Sequence, residues 1–542
     1  MPSNFRNLWL DAGRLLFLFY VLVKFGGRPL LQQIMGHPVP APFTAVRVRL
    51  AIERLGIVYI KFGQFLAIRH DIIPPVLVQE LRKLLDQVPP MPSEQAMAIV
   101  EKELGAPLNQ FFSSFTRQPI AAASIAQVHE ATTLENEKVV VKIRREGIRR
   151  IFDSDIRNLR RLAVAFDTIK ILGTLRATEA IDQFASFTSR ELDFLNEAAT
   201  AEKMRATASL GAAIPKIYST LSTSVILTME YMEGLTLLSV IDLYRQGGKE
   251  KVQEQLPLFD PQMILHNLSF ASLQQLFVTG VFHGDPHPAN IIIRPDNTVA
   301  FVDFGISGEF GVEYRMLFAL YTWCLGSGQV GESFFYLSQI YKPTKDTRTS
   351  LYKKDTIATL SRWYEASRDT SAPIPERSIG RCFDNMVMVV QRHRCQTRLE
   401  YLLYWRTIIT LDSTALQLAC GFDLTAEVRD FFEAYGFNTA ASQEGVALLN
   451  RKAIVHILLM LQPILKKRAR LPDIRSSLAE SRKDRLDRSG LVRLLCASAI
   501  GMGLAIGLGK MEAGAVVYIG IAVGLLCLAL NKRVLSWLGS YC

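Results

Sequence analysis

Between Gly280 and Gly305 the chain reads GVFHGDPHPANIIIRPDNTVAFVDFG, and this run narrows the choice of fold more than any other. An apolar stretch, a Pro295-Asp296-Asn297 turn and a second apolar stretch predict two short strands joined as a hairpin. A hairpin brings its two ends together. Asn290 precedes the first strand and Asp303 follows the second, so both return to one place. Asp285 lies five residues before Asn290, on the loop that leads in. The fold must therefore hold a carboxylate, an amide and a second carboxylate around the mouth of paired strands.

Phosphoryl transfer needs such a set: hard oxygen ligands for a divalent metal beside the phosphates, and a carboxylate near the acceptor hydroxyl. Asp285 and Asn290 match the spacing D-x-x-x-x-N used by kinases, and Asp303 opens Asp-Phe-Gly. Asp285 is thus the candidate catalytic residue, with Asn290 and Asp303 as candidate Mg²⁺ ligands. His283 holds the H-x-D position, whose role is structural, and His287 and His129 also read as structural.

The other half of such a site lies upstream. Lys142 ends the run VVVK, a strand lysine suited to pairing with phosphates. Its carboxylate partner should sit on the following helix, where RELDFLNEAATAEKM offers Glu191, Asp193 and Glu197. On that helix Asp193 and Glu197 share a face and Glu191 diverges, but spacing leaves the choice open. The phosphate-covering loop departs from the glycine-rich pattern. It reads IAAASIAQV, Ile120 to Val128, without a glycine. Alanine disfavours positive φ, so this loop should be stiffer and hold ATP or ADP differently. Its Ile120, Ala121, Ala122, Ala123, Ser124, Ile125 and Val128 are candidate nucleotide contacts.

The surroundings predict an α+β fold. Residues 41–115 read as helical, with breaks at Pro74-Pro75 and Pro89-Pro90. Two strands follow around a polar turn at Glu135 to Glu137, then a helix from about 178 to 206, then an apolar strand from Ser224 towards Gly234. A length of 542 residues suits about three or four domains.

Apolar residues make up 49% of the chain, a high share that hints at membrane contact. Its source is the C-terminus, where residues 494–509 and 513–530 form two apolar runs rich in Gly and Ala, separated by a short charged turn. They predict a transmembrane hairpin, and the Lys/Arg excess at its outer ends places both ends in the cytoplasm. The net charge of +11 concentrates beside this hairpin and points to anionic lipid. No nucleic-acid motif accompanies it. The apolar segment Leu15 to Val23 is short and predicts an interfacial or docking helix. Seven cysteines without C-x-x-C spacing suit a reducing compartment and argue against a zinc site.

Taken in series, KFGQ (Lys61 to Gln64), PPVLVQELRKLLDQVPP, AAASIAQVH, ELD, HGDPHPAN and DFG resemble the UbiB family of atypical protein-kinase-like proteins. The resemblance implies a two-lobed protein-kinase-like fold whose K-x-G-Q helices form a lid over the protein-substrate site. It implies ATP binding, ATPase activity and support of ubiquinone or another isoprenoid-quinone pathway at a bacterial-type inner membrane. Membrane lipid, isoprenoid-quinone precursors and quinone-biosynthesis enzymes are then the expected partners. By match, Lys142 pairs with Glu197, and Glu191 and Asp193 form an E-x-D motif near Lys61 and Gln64. The chain departs from the family at Ala67, Ala126 and Ala289, where Ser, Gly and Gly are common.

The implied organisation is an N-terminal helix (1–40), the lid region (41–115), an N-lobe (116–235), a C-lobe (236–400), a helical extension with a basic linker (401–493) and the hairpin (494–530). Two other classes share part of the pattern. A small-molecule kinase also carries HGD…N and a later Asp, but lacks D-F-G and the alanine loop. A nucleotide-sensing pseudokinase scaffold would keep the whole set without turnover.

Overall fold

The structure is a computed structural model that describes residues 3–34, 40–69, 73, 75–84, 89–168, 176–395, 399–419 and 421–435. The expected basic linker and the hairpin at 494–530 lie outside the described residues. Among the described residues no helix is long and apolar enough to cross a membrane.

Five helices come first: α1 (Ser3–Ile34), α2 (Ala41–Leu55), α3 (Ile57–Ile68), α4 (Pro75–Leu81) and α5 (Ser93–Leu104). Strands β1 (Phe112–Phe115), β2 (Ala121–Ala122), β3 (Ala126–Thr133) and β4 (Lys138–Arg144) follow. Helices α6 (Ile148–Thr168), α7 (Ala177–Glu191) and α8 (Phe194–Arg205) lead to strands β5 (Ala212–Ala213), β6 (Ile226–Glu230) and β7 (Leu235–Thr236). Beyond α9 (Leu237–Gln253) and α10 (Pro261–Gln274) lie β8 (Val281–His283), β9 (Ile291–Ile293), β10 (Val299–Phe301) and β11 (Ser307–Glu309). The remainder is helical: α11 (Val312–Gly326), α12 (Val330–Ile340), α13 (Thr349–Arg368), α14 (Ile374–Arg377), α15 (Ile379–Arg392), α16 (Leu399–Leu418) and α17 (Leu424–Ala434).

The described residues form two compact units, one within 1–24 and 149–186 and the other within 25–148 and 187–464. In the first, α1 docks on α6. Leu18 and Val21 are buried. Asp11 takes a two-pronged contact from Arg157 at 2.7 and 2.8 Å, and Arg14 pairs with Asp155. Burial opposes the charge on Asp11, yet the Arg157 guanidinium holds its carboxyl below the usual range. The docking reading of the N-terminal segment therefore fits this face. On the opposite face Trp9, Leu16 and Tyr20 stay exposed.

The second unit carries the site. Its first sheet has the strand order β1-β3-β4-β6, with β2 folding back on β3. Every residue of Val139–Ile143 is buried, as a central strand covered on both faces demands. Side chains alternate along a strand. Val139, Val141 and Ile143 join Ala96, Val100 and Ile226 in one core cluster, so Lys142 must face the other way. A second sheet, in the order β5-β10-β9-β7, contains the expected hairpin, with Ile291 opposite Phe301 and Ile293 opposite Val299. Its turn puts Asn297 at φ 64°, and that side chain accepts from Asp260 N and donates to Leu258 O.

Four expectations need correction. Residues 112–115 are a strand rather than the end of the helical region, because Gly105 closes α5 in the left-handed conformation and only a single 3-10 turn, Leu108–Gln110, follows before the chain pairs with β3. Residues 41–68 are two helices, separated at Gly56 with φ 97°, a conformation open to glycine. The helix expected over 178–206 breaks between α7 and α8, where Asp193 is extended and serves as N-cap. Finally, α16 is no extension. Tyr401, Tyr404 and Trp405 are among the largest fully buried side chains, and Thr407 Oγ1 donates to His283 O at 2.9 Å.

Candidate nucleotide and metal site

Lys142 is the hub. Its Nζ lies 2.8 and 2.9 Å from the two Glu197 oxygens and 2.9 Å from Asp303 Oδ1. Of the three carboxylates that spacing left open, the structure pairs Glu197 with the lysine. Burial alone would discourage the ammonium, but Asp303 and Glu197 hold it protonated, well above the usual lysine range. The Asp303 side chain is half exposed, and the neighbouring Lys142 ammonium keeps that carboxyl far below the usual range. Glu197 sits deeper. Burial pushes its carboxyl up to about 7 against the pull of Lys142. Asp303 adopts φ 63°, a strained conformation for a non-glycine residue and one that clusters at functional sites. Gly305 N donates to Asp303 Oδ1, and Phe304 N donates to Glu197 Oε1.

The remaining two acids of that segment have different partners. Glu191 pairs with Lys61 of α3 at 3.3 Å. Asp193 joins neither group, since its carboxylate accepts from Leu195 N at 3.1 Å and caps α8. Its expected place beside Lys61 and Gln64 is corrected: it is not among the residues lining the cavity that holds them. A helix break turned what looked like a facing acid into a cap. Asp193→Ala should therefore cost about 1 kcal/mol of stability, seen as a lower urea midpoint, while nucleotide-induced stabilisation stays intact.

The catalytic-loop residues converge as the hairpin argument requires. Asn290 Nδ2 donates to Asp285 O at 3.1 Å, and Val302 N donates to Asn290 O. His283 is buried between Phe301 and Phe304. Its Nδ1 accepts from Asp285 N, so its other nitrogen donates to Val302 O at 3.1 Å. Burial lowers its pKa. It braces the loop and leaves proton transfer to others. His129 is likewise buried, against Gln127 and Thr116 O, and His287 caps the turn at Pro288–Asn290.

Sequence reasoning missed Arg406. Its guanidinium lies 2.7 Å from Asp285 Oδ1, reaching in from α16 across more than a hundred residues of sequence. The available signal was a lone cation in the apolar run YLLYWRTII, because a charge on a buried helix needs a partner.

One cavity of about 790 Å³ is lined by Lys61, Gln64, Lys142, Glu191, Glu197, Asp285, Asn290, Asp303 and Arg406 among others. Of the alanine loop, Ala123, Ser124, Ile125 and Ala126 line it, whereas Ile120, Ala121, Ala122 and Val128 do not. The loop is a tight hairpin, with Ala122 opposite Gln127 and Ala123 N donating to Ala126 O. Glycine at Ala122 would loosen that hairpin by about 0.5–1 kcal/mol. Ala122→Gly is expected to alter the ratio of ATP to ADP affinity in a titration. An unchanged ratio would mean that hairpin stiffness does not set nucleotide preference.

These residues fit a magnesium nucleotide. Ser124 Oγ is buried, lines the cavity and has no hydrogen-bond partner, which leaves a donor for a phosphate oxygen. Among the described residues no group of three or more His, Cys, Asp or Glu could hold a metal by itself. One amide and one carboxylate, with phosphates completing the shell, is the pattern Mg²⁺ favours over an all-protein cage. Bound there, the metal would neutralise phosphate charge. The chain itself would then supply Lys142 as a fixed cation, Asn290 and Asp303 as oxygen donors, and Asp285 as a further carboxylate in the same cavity.

A strand lysine held by a helix glutamate, facing a catalytic-loop carboxylate and an Asp-Phe-Gly aspartate, defines a protein-kinase-like α+β protein. The family model described as the ABC1 atypical kinase-like domain matches residues 83–324, so this stretch carries an ABC1 atypical kinase-like domain, and the chain is similar to proteins named UbiB and to ABC1/aarF domain kinases. The chain is 36% identical over 268 residues to the chloroplastic protein ACTIVITY OF BC1 COMPLEX KINASE 7 of Arabidopsis thaliana, covering 49% of this chain and 37% of that one. It is 29% identical over 410 residues to a probable protein kinase UbiB of Marinobacter nauticus, covering 73% and 71%. It is 34% identical over 276 residues to a chloroplastic aarF domain-containing protein kinase of Arabidopsis thaliana, covering 50% and 37%. The chain thus spans little more than a third of the length of both Arabidopsis relatives.

Proposed function

We propose that this chain is a membrane-anchored, Mg²⁺-dependent ATPase of the atypical kinase type that supports ubiquinone or another isoprenoid-lipid pathway. The observation that carries the reading is the Lys142 ammonium shared between Glu197 and Asp303 at 2.8–2.9 Å, in a cavity that also holds Asp285, Asn290 and an unpartnered Ser124 hydroxyl. Lys61, Gln64 and Glu191 line the same cavity. As a lid of the K-x-G-Q type they would keep a polypeptide from Asp285. ATP is then hydrolysed, or its phosphoryl group passed to a small acceptor, while generic proteins go unphosphorylated. The membrane is that of a bacterial-type cytoplasmic compartment, with the kinase-like domain on the cytoplasmic side. Quinone-biosynthesis enzymes and anionic lipid are the partners, and nucleic acid is not one. The pairing of Arg406 with Asp285 favours a second reading, a nucleotide-sensing scaffold, because the carboxylate that would handle an acceptor is already engaged.

The test is purified full-length protein with labelled ATP, with and without anionic liposomes. Hydrolysis raised by the liposomes, with no label on a generic protein substrate, is the expected result. Robust labelling of that substrate would overturn the lid and return the chain to the ordinary kinases. No hydrolysis despite nucleotide binding would favour the scaffold.

Membrane attachment has its own expected outcome. The full chain should resist a high-salt wash, because spanning helices do not depend on charge screening. A truncation after Ser489 should become salt-extractable. Retention of the truncated chain in high salt would instead assign the anchor to α1.

A further inference from the structure

Helix α1 is the longest helix described, at 32 residues, and α6 covers only one side of it. On that inner side Leu18 and Val21 are buried, and Asp11 and Arg14 are paired with Arg157 and Asp155 of α6. At 3.6 residues per turn the opposite side carries Trp9, Leu16, Tyr20 and Val23 in one stripe. All four are exposed, Trp9 to 75%. Phe19 widens the stripe on one flank. Lys24 borders it on the other, with its Nζ 5.8 Å from the centre of the Tyr20 ring. Exposed apolar residues scattered singly need no explanation, but a contiguous stripe of them marks an interaction site.

The chemistry of the stripe selects its occupant. Close packing of helices within a membrane favours small residues, and this stripe is built of bulky ones. Tryptophan and tyrosine join an apolar ring to a polar tip and concentrate where a bilayer meets water. Trp9 and Tyr20 share one angular position and stand eleven residues apart, about 16 Å along the helix axis. Both reach the interface at once only if the helix lies in its plane. Crossing is not open to α1, since no described helix is long and apolar enough for it. Charge agrees with a lipid surface. Four basic residues of α1 stand against Asp11 alone, and five of α6 against three acids, an excess that suits anionic headgroups. The apolar runs at 494–509 and 513–530, expected to span the membrane, would keep the chain beside that surface.

We propose that the outer face of α1 is a docking surface that lies in the headgroup region of an anionic bilayer, parallel to its plane. The proposal rests on the membrane reading above and names the surface of the chain that meets the lipid. One amphipathic face of this kind binds reversibly by itself. Tethered by the hairpin, it engages lipid as an effectively intramolecular step. The hairpin then decides that the chain is bound, and α1 decides which side of its own unit faces the lipid.

The test uses the full chain in mixed phosphatidylcholine and phosphatidylglycerol vesicles whose acyl chains carry bromine, a contact quencher of tryptophan, either near the headgroup or near the methyl end. Flotation of the vesicles reports attachment, and the difference from Trp9→Phe isolates the fluorescence of Trp9. Bromine near the headgroup should quench at least half of that fluorescence, and bromine at the methyl end much less. Leu16→Glu and Tyr20→Glu should each reduce the quenching severalfold, while the chain still floats and its helical circular dichroism is unchanged. Both positions are exposed, so neither substitution disturbs the core. Quenching that both substitutions leave intact would overturn the docking face, and stronger quenching from the methyl end would overturn its in-plane orientation. An unquenched Trp9 in a chain that floats would overturn the docking face and leave the membrane reading standing. A photocrosslinker in place of Leu16 would then show whether a second copy or residues 494–530 cover the stripe. A chain that does not float would overturn the two readings together.

Discussion

Asp303→Asn is expected to erase the magnesium-dependent part of nucleotide stabilisation. In the wild type, ATP or ADP with Mg²⁺ at a hundred times its dissociation constant should stabilise the folded chain by about 2.7 kcal/mol, read as a thermal shift of several degrees. Asp303 is the carboxylate the hairpin returns to Asn290. Lys142 at 2.9 Å keeps it ionised far below the usual carboxylate range, so at neutral pH it is a ready oxygen ligand that needs no proton removed. Asparagine can retain the φ of 63° seen here, since it tolerates the left-handed region. The substitution therefore removes charge while sparing the backbone. The shift with Mg²⁺ should fall to that of wild type with EDTA. Equal shifts in wild type and variant would remove Asp303 from the metal site, and no shift in either would sink the nucleotide assignment.

Much of this site was legible because the residues that build it are local or carry a fixed period. The hairpin encodes the approach of Asn290 and Asp303 in a span of 14 residues, and β-alternation alone turns Lys142 away from the core that holds Val139, Val141 and Ile143. Sequence spacing stopped short at the helix partner, because it assumed one helix through Glu191, Asp193 and Glu197. Asp193 as an N-cap breaks that helix, and with the break the face argument fails, although an aspartate before an apolar run is itself a start signal. The alanine loop was recognised as stiff, but of it only Ala123 to Ala126 reach the cavity. Its flanks are strands whose hydrogen bonds to β3 use up their backbone. Arg406 could not be read from spacing, because its contact with Asp285 depends on how α16 packs beneath the catalytic loop. That packing rests on Tyr401, Tyr404 and Trp405, whose aromatic run looked like an appended helix rather than the floor of the lobe.

Arg406 gives the second large expected effect. Asp285→Asn should lower ATP turnover by about 10²–10⁴-fold, the usual contribution of a positioned carboxylate in proton transfer, with nucleotide affinity little changed because Lys142, Asn290 and Asp303 remain. Arg406 acts through Asp285. Its guanidinium at 2.7 Å fixes the carboxylate oxygen that would face an acceptor or water, so Arg406→Gln should reduce kcat at least tenfold while leaving the KM for ATP nearly unaltered. If the arginine works only by orienting that carboxylate, the double variant can be no worse than Asp285→Asn alone, since an amide at 285 leaves nothing charged to orient. Steady-state hydrolysis by wild type, both single variants and the double variant completes the cycle. Multiplicative losses would mean that Arg406 contacts phosphate or acceptor directly. A rise in turnover on Arg406→Gln would mark the ion pair as a restraint that holds Asp285 out of use. Turnover unchanged in Asp285→Asn would favour the scaffold, with Lys142, Glu197 and Asp303 kept for binding nucleotide alone.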